Sequence, residues 1–301
     1  MEHIKLALDW TPNINHIGFF VAQQNGYYSE SGLEVDLLSP SADDYTMTPA
    51  KKVENGLADF ALCPMESILS YRTKEQPFDL KAIAAIYQED LSAIVCLATS
   101  GITSPKELDE KSYASYQARY EDEIVKQMII NDGGRGEIVI EYPRKLGIWE
   151  TLLNGEFDAT WIFMNWEGIQ AKSNQVALTS FKMSDFHIPY SYSPVIAASD
   201  RSIQEKTEVY QKFLAATKRG FLNAAENPKE AAAILATHVS ETDTDIDIKE
   251  AIQFSSNAFG DASNWGIMDH ANVQQYLDWI YDRGLENRKI TVEDLVSNAL
   301  L

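Results

Sequence analysis

Along the first ninety positions, short apolar runs alternate with stretches of helical spacing. Positions 4–8 (Ile-Lys-Leu-Ala-Leu) read as a strand halted by Asp9, Trp10 and Pro12. Over 15–28, Ile17, Phe20, Val21, Gln24 and Tyr27 recur near the period of a helix, and Gly26 is a stop signal. A strand at 33–38 follows Gly32, and a helix at 50–55 has Pro49 in its first turn and Gly56 behind it. A strand at 59–62, a helix at 65–73 and a strand at 80–87 complete the run. This βαβα order predicts a mainly parallel sheet covered by helices.

A second apolar strand at 92–98 restarts the alternation. The pattern then predicts a short helix at 105–110, a strand at 113–115, a helix at 121–131 and a strand at 138–142. A helix at 148–153 and strands at 159–163 and 195–198 follow. From there the tail reads as almost wholly helical, with pieces at 206–226, 228–237, 246–258, 271–283 and 292–300. Helices without a sheet of their own must cover another, so the tail is expected to pack back on the first half. The expected organisation is a discontinuous lobe I, 1–90 plus 190–301, with lobe II, 91–189, inserted. Two such lobes would hold a ligand in the cleft between them and close on it by a hinge. Strand C-terminal ends and helix starts would supply the polar contacts.

Length and charge narrow the partners. The 301 residues suit two domains. With 25 Lys and Arg against 45 Asp and Glu, the net charge of -20 repels phosphate backbones and anionic lipid, so no nucleic-acid or membrane partner is expected. An apolar content of 45% excludes wholesale disorder. Cys63 and Cys96 sit in apolar runs and read as buried free thiols. His3, His16, His187, His238 and His270 show no metal-binding spacing, so neither metal nor cofactor is expected. The opening MEHIKLALDW is a strand and carries no export signal. The protein is therefore cytoplasmic, or periplasmic or extracellular if a signal peptide was removed.

Candidate contacts follow the predicted strands. Trp10 offers a flat π face, Asp9 an acceptor for an amino-pyrimidine edge, and His16 a donor, or else Trp10 caps the core while Asp9 and Asn13 fix the turn. Glu66 and Ser67 open a helix, where a carboxylate also suits the helix dipole. In the loop holding Tyr116 and Arg119, backbone amides at a helix start could hold an anion; Arg119 could instead pair with Glu121 or Glu123. In the strand at 159–163, Trp161 reads as core, whereas Asn165, Trp166 and Glu167 lie beyond it and could face a ligand. Tyr190 and Tyr192 either wall the ligand opposite Trp10 or brace a Pro-rich hinge. Aromatic walls on both lobes suit a small planar heterocyclic ligand.

The run LALDWTPNINHIGFFVAQQNGYYSESGLEVDLL resembles the N-terminus of the thiamine-pyrimidine precursor family. That family includes formylaminopyrimidine-binding proteins and fungal hydroxymethylpyrimidine phosphate synthases and, more distantly, sulfonate, taurine and nitrate binders of ABC importers. The likeness continues through KKVENGLADFAL, SPKELDEKSYA, LLNGEFDATWIF and KFLAATKRGFLNAAENPKEAAAIL. It implies an α/β, two-lobe type II periplasmic-binding-protein-like fold, with a mainly parallel sheet in each lobe and a helical C-terminal tail. By the resemblance, Asp9 and Trp10 contact the pyrimidine, His16 matches the family's histidine, and Glu66 and Tyr192 match cleft residues. The synthase's cofactor lysine and its consumed histidine correspond to Cys63 and Ser67. Its glycine-containing phosphate loop becomes Gln117-Ala118-Arg119-Tyr120, its cysteine-rich run is missing before the strand at 195–198, and a glutamate of the bacterial binders has Ser193 near its place. The leading expectation is a monomeric solute-binding protein for a thiamine pyrimidine precursor, with an ABC permease as partner and no enzymatic role. A cytoplasmic enzyme of thiamine-pyrimidine synthesis and a sulfonate, taurine or nitrate importer subunit stay open beside it.

Overall fold

A computed structural model describes residues 1–145 and 147–301. Ten strands occur in chain order: β1 (Glu2–Ala7), β2 (Leu33–Leu38), β3 (Phe60–Cys63), β4 (Leu80–Ala85), β5 (Ser92–Leu97), β6 (Ser112–Ala114), β7 (Val139–Glu141), β8 (Ala159–Phe163), β9 (Leu178–Phe181) and β10 (Val195–Ser199). They form two five-stranded sheets, ordered β2-β1-β3-β10-β4 and β7-β6-β8-β5-β9. The chain divides into a larger unit, Met1–Asp90 with Ser191–Thr244 and Ile248–Leu301, and a smaller one, Leu91–Tyr190 with Asp245–Asp247.

In the larger unit β1 pairs in parallel with β2 and β3, while β10 runs antiparallel to both β3 and β4. Four strands thus share a direction, and parallel neighbours need crossovers long enough for a helix, which the sequence supplies between them. Strand β4 is rich in alanine, and both β3 and β4 are buried along nearly their whole length, as strands covered on both faces must be. The C-terminal helix Thr207–Glu226 lies directly on Ile17–Gln24. A Cβ on Gly220 would fall 1.9 Å from the Gly18 carbonyl oxygen, and one on Gly18 would strike the Phe221 ring. Only glycine at both positions lets the two helix backbones touch. Tyr28 reaches Thr217 across the same seam at 2.9 Å, and the Tyr28 and Phe213 rings stack.

The smaller unit repeats the strand plan: β6 is parallel to β7 and β8, and β5 runs against β8 and β9. Its core gathers Ala93, Val95, Trp149, Leu152, Ile162 and Ala171. In each sheet the reversed strand is the first one built after the chain changes units.

Several elements differ from the sequence pattern. The single helix expected at 15–28 is a 3-10 turn Ile14–His16, a helix Ile17–Gln24 and a turn Tyr27–Glu30, broken where Gly26 takes φ 74°. Strand β9 was not legible because only Phe181 of its four residues is buried, as suits a sheet edge. The last expected helix stops at Leu295; Val296 then bridges Ala82 and the Ser297 amide bonds the Ala82 carbonyl at 2.9 Å, covering the outer edge of β4. No helix among the described residues is long and apolar enough to cross a membrane.

Candidate binding site

In the larger unit β1 and β3 end side by side, with Ala7 paired to Ala61. Beyond β1 come Asp9 and Trp10; beyond β3, Glu66 and Ser67 lie in the first turn of the helix Met65–Thr73. The chain enters β10 at the same edge, since Val195 pairs with Cys63 and the Tyr192 carbonyl accepts the Met65 amide at 3.1 Å. Strand ends and helix starts therefore converge where α/β sheets present ligand contacts.

The loop after β1 is fixed by its own polar groups. The Asn13 amide donates to His16 Nδ1 at 3.1 Å, so Nδ1 is unprotonated and Nε2 carries the hydrogen that it donates to Asp9 Oδ1 at 2.7 Å. The Asn13 side chain caps the turn, accepting from the Asn15 amide at 2.8 Å and donating to the Thr11 carbonyl at 3.1 Å. The Tyr87 hydroxyl donates to Asn15 Oδ1 at 2.8 Å. His16 is fully buried, whereas the Asp9 side chain keeps 20% of its surface exposed. Among the described residues Asp9 Oδ2 accepts no hydrogen bond. His16 was expected to offer its own donor to a ligand; with both ring nitrogens engaged, it aims Asp9 instead. Asn13 likewise serves the turn.

Trp10 is half-buried, and its ring meets that of Tyr45 edge to face, with centroids 5.6 Å apart. Glu66 is buried at the positive end of its helix, and Ser67 beside it is half-buried. Burial pushes the Cys63 thiol well up, and the charges of Asp9 and Glu66 push it further, so a protonated thiol sits between two carboxylates. The Tyr192 ring is buried, and its hydroxyl accepts the Asp269 amide at the start of the helix His270–Asp282 at 2.8 Å. That bond ties Tyr192 into the body of the unit. Burial also raises its phenol.

In the smaller unit the loop between β6 and the helix Glu121–Asn131 is closed by the first residue of that helix. The buried Glu121 carboxylate accepts from the Tyr113 hydroxyl at 2.8 Å, the Tyr116 amide at 3.0 Å and the Ala118 amide at 3.1 Å. The Gln117 amide goes to Ser115 Oγ at 3.0 Å. Two of the loop's backbone donors, the Tyr116 and Ala118 amides, are thus taken by the chain's own carboxylate. Arg119 is exposed, with its guanidinium 5.3 Å from the Tyr120 ring centroid. Burial, with the charges of Glu167, Glu121 and Glu150, raises the Tyr116 phenol far above its ordinary value.

Trp161, expected in the core, is half-buried and packs on Tyr190 at 5.1 Å, while Asn165 and Trp166 are buried. Tyr190 belongs to the smaller unit and Tyr192 to the larger. Both cysteines are free and buried, and among the described residues no group of three His, Cys, Asp or Glu could hold a metal. The sequence reading passed over Tyr45; a lone aromatic in the polar run PSADDYTM was the only signal for it. It also missed Glu121 as the closure of its loop.

A family model described as NMT1/THI5 like matches residues 13–231. The formylaminopyrimidine-binding protein of Halalkalibacterium halodurans is 24% identical over 99% of this chain and 90% of its own. A putative thiamine biosynthesis protein of Haemophilus influenzae is 22% identical over 97% and 91%. Among solved structures, the periplasmic aliphatic sulphonate-binding protein SsuA of Escherichia coli superposes with a TM-score of 0.70 at 13% identity, covering 97% of this chain and 96% of that one. At that identity the likeness shows the fold, which is that of the periplasmic binding proteins.

Proposed function

Since the chain belongs to the NMT1/THI5-like family, we propose that it is a solute-binding protein for a pyrimidine precursor of thiamine, of the hydroxymethylpyrimidine or formylaminopyrimidine type. The observation that carries this reading is the pair Asp9 and Trp10: a π face next to a carboxylate that His16 holds at 2.7 Å. An aminopyrimidine stacks on the indole and gives its exocyclic N–H to the carboxylate, with Glu66 as a second acceptor on the same strand-end edge. The similarity to a formylaminopyrimidine-binding protein along nearly the whole chain supports the same ligand class. In this reading the protein is a monomer on the periplasmic or extracellular side, handing its ligand to an ABC permease.

The sulphonate reading loses ground at Glu121, whose carboxylate occupies two backbone donors of the loop and would repel an anion there. The synthase reading loses ground at Cys63 and Ser67, which by the resemblance stand where such an enzyme carries its lysine and histidine. Calorimetric titration with hydroxymethylpyrimidine, formylaminopyrimidine and taurine tests all three. One-to-one pyrimidine binding without taurine binding is expected. Taurine binding alone would overturn the proposal, and an aldimine absorbance band or bound iron in the purified protein would return the synthase reading. Repeating the titration on Tyr116→Ala, Asn165→Ala and Trp166→Ala scores the smaller unit's candidates one at a time.

A further inference from the structure

We propose that Asn15 is a specificity-determining residue of this site. Its carboxamide donates a hydrogen bond to the ring nitrogen beside the amino group of the heterocycle, and Tyr87 holds the amide in the orientation that makes it a donor there. The inference rests on the pyrimidine-binding reading and deepens it.

The strand order brings Asn15 to the binding edge. Asn15 follows β1 and Tyr87 follows β4, two strands that run in the same direction with β3 and β10 between them. The bond from the Tyr87 hydroxyl to Asn15 Oδ1, 2.8 Å long, therefore spans the edge where β3 ends and β10 begins. Cys63 and Tyr192 belong to that same edge. The residue after Asn15 is His16, whose bond to Asp9 Oδ1 folds the loop back on itself. The Asn15 amide and the Asp9 carboxylate are thus parts of one closed turn.

The polar groups of Asn15 can be followed one at a time. The residue is buried, with 3% of its surface exposed. Its backbone N–H donates to Asn13 Oδ1 at 2.8 Å, and its Oδ1 accepts from Tyr87. The Tyr87 ring is stacked on Phe259 with centroids 5.5 Å apart, so that hydroxyl comes from a fixed position. With Oδ1 pinned, Nδ2 occupies the other branch of the amide. Among the described residues Nδ2 donates to no group, yet it is not one of the sealed donors without a partner, as Gln88 Nε2 and Trp265 Nε1 are. It keeps a surface that an acceptor can reach.

An amide buried this far, with one end satisfied and the other unpaired, carries a cost. If accepting from Tyr87 were its whole role, the NH2 group would be superfluous; an acceptor on a ligand offsets the cost. Asp9 Oδ2 then takes a hydrogen from the exocyclic amine while Asn15 Nδ2 gives one to the ring nitrogen next to it. A 4-aminopyrimidine presents this donor and acceptor side by side. An aliphatic sulphonate offers acceptors alone and is repelled at Asp9.

The test is calorimetry with hydroxymethylpyrimidine and with its analogue in which the ring nitrogen beside the amino group is replaced by CH. The readout is the ratio of the two affinities, compared between the wild type, Asn15→Ala, Asn15→Asp and Tyr87→Phe, so that the analogue's own altered basicity cancels. The wild type is expected to prefer the pyrimidine about 3- to 10-fold, the value of one neutral hydrogen bond. Asn15→Ala should bring the preference to unity, and Asn15→Asp, which still accepts from Tyr87, should bring it to unity or below. Tyr87→Phe keeps the stacked ring but frees the amide to turn, and should reduce the preference part-way. A merely structural Asn15 would lower both affinities together and leave the ratio as in the wild type, which would overturn the inference. If the wild type binds both compounds equally well, the inference falls while the reading of the site stands. If the wild type binds no pyrimidine, both fall.

Discussion

The two units solve one problem in opposite ways. Their sheets share a strand plan, so the loop from β1 into Ile14–His16 and the loop from β6 into Glu121–Asn131 are topological counterparts. Each loop turns backbone amides inward, and each is satisfied by a side chain reaching back from the following helical turn. In the larger unit that side chain is His16, a neutral acceptor for the Asn13 amide that passes a hydrogen on to Asp9. In the smaller unit it is Glu121, whose charge is consumed by the amides of Tyr116 and Ala118 and by the Tyr113 hydroxyl. A neutral closure leaves a carboxylate oriented and part-exposed for recognition, whereas a charged closure uses its carboxylate up. The same topology therefore yields a polar binding edge in one unit and a self-satisfied loop in the other.

Breaking the neutral closure should have the largest effect. His16→Ala leaves the Asn13 amide without its acceptor, opens a buried cavity and frees Asp9 to rotate. It should cost about 3 kcal/mol of stability in urea unfolding and weaken pyrimidine binding at least about tenfold. An unchanged affinity would show that Asp9 needs no positioning. Trp10→Ala separates recognition from folding: about a 30-fold loss of affinity is expected, with less than about 1 kcal/mol lost in stability because the ring is only half-buried. Retained affinity for every ring ligand would sink the stacking role.

Glu121→Gln sharpens the other side, since its amide would point a donor at a backbone donor; a loss of about 1–2 kcal/mol is expected. Burial outweighs the hydrogen bond from Tyr113 and raises the Glu121 carboxyl above its ordinary 4.5. With the folded value raised, its contribution is fully present below pH 4.5 and is lost as pH climbs through the raised value. Glutamine does not titrate there, so the deficit of Glu121→Gln against the wild type should be largest near pH 4.5 and shrink toward neutrality. Stability curves that stay parallel from pH 4 to 7 would contradict this. The smallest effect belongs to Arg119→Ala: the side chain is exposed, so changes below about twofold in affinity and about 0.5 kcal/mol in stability are expected. A large loss of affinity would revive an anion site in that loop.

How far the sequence could be read depended on the range of the interactions involved. Strands such as β1, β3 and β4 are marked by their own runs of apolar residues and lie within a residue or two of their expected bounds. Asp9, Trp10, Glu66 and Ser67 were found because strand ends and helix starts are local features. The role of His16 was not legible, because both of its bonds depend on how the loop folds back on itself over seven residues. Tyr45 was passed over for a related reason: its ring contact with Trp10 and its left-handed backbone depend on the folded loop, and no composition rule assigns either to tyrosine. Trp161, expected in the core, is half-buried, because a strand end alone does not show which aromatic the neighbouring elements cover.

By itself, the sequence determined the α/β alternation, the helical tail, the acidic surface, the family and one strand-end cluster of aromatic and carboxylate residues. The family follows from the resemblance of whole runs of residues; the rest follows from periodicity and composition, which are summed over neighbours along the chain. Only the tertiary structure decided which polar groups those residues spend on one another. Hydrogen-bond partners are set by distances of about 3 Å, which depend on how each loop folds back on itself. That accounting left Asp9 its Oδ2 and gave Glu121 to its own loop.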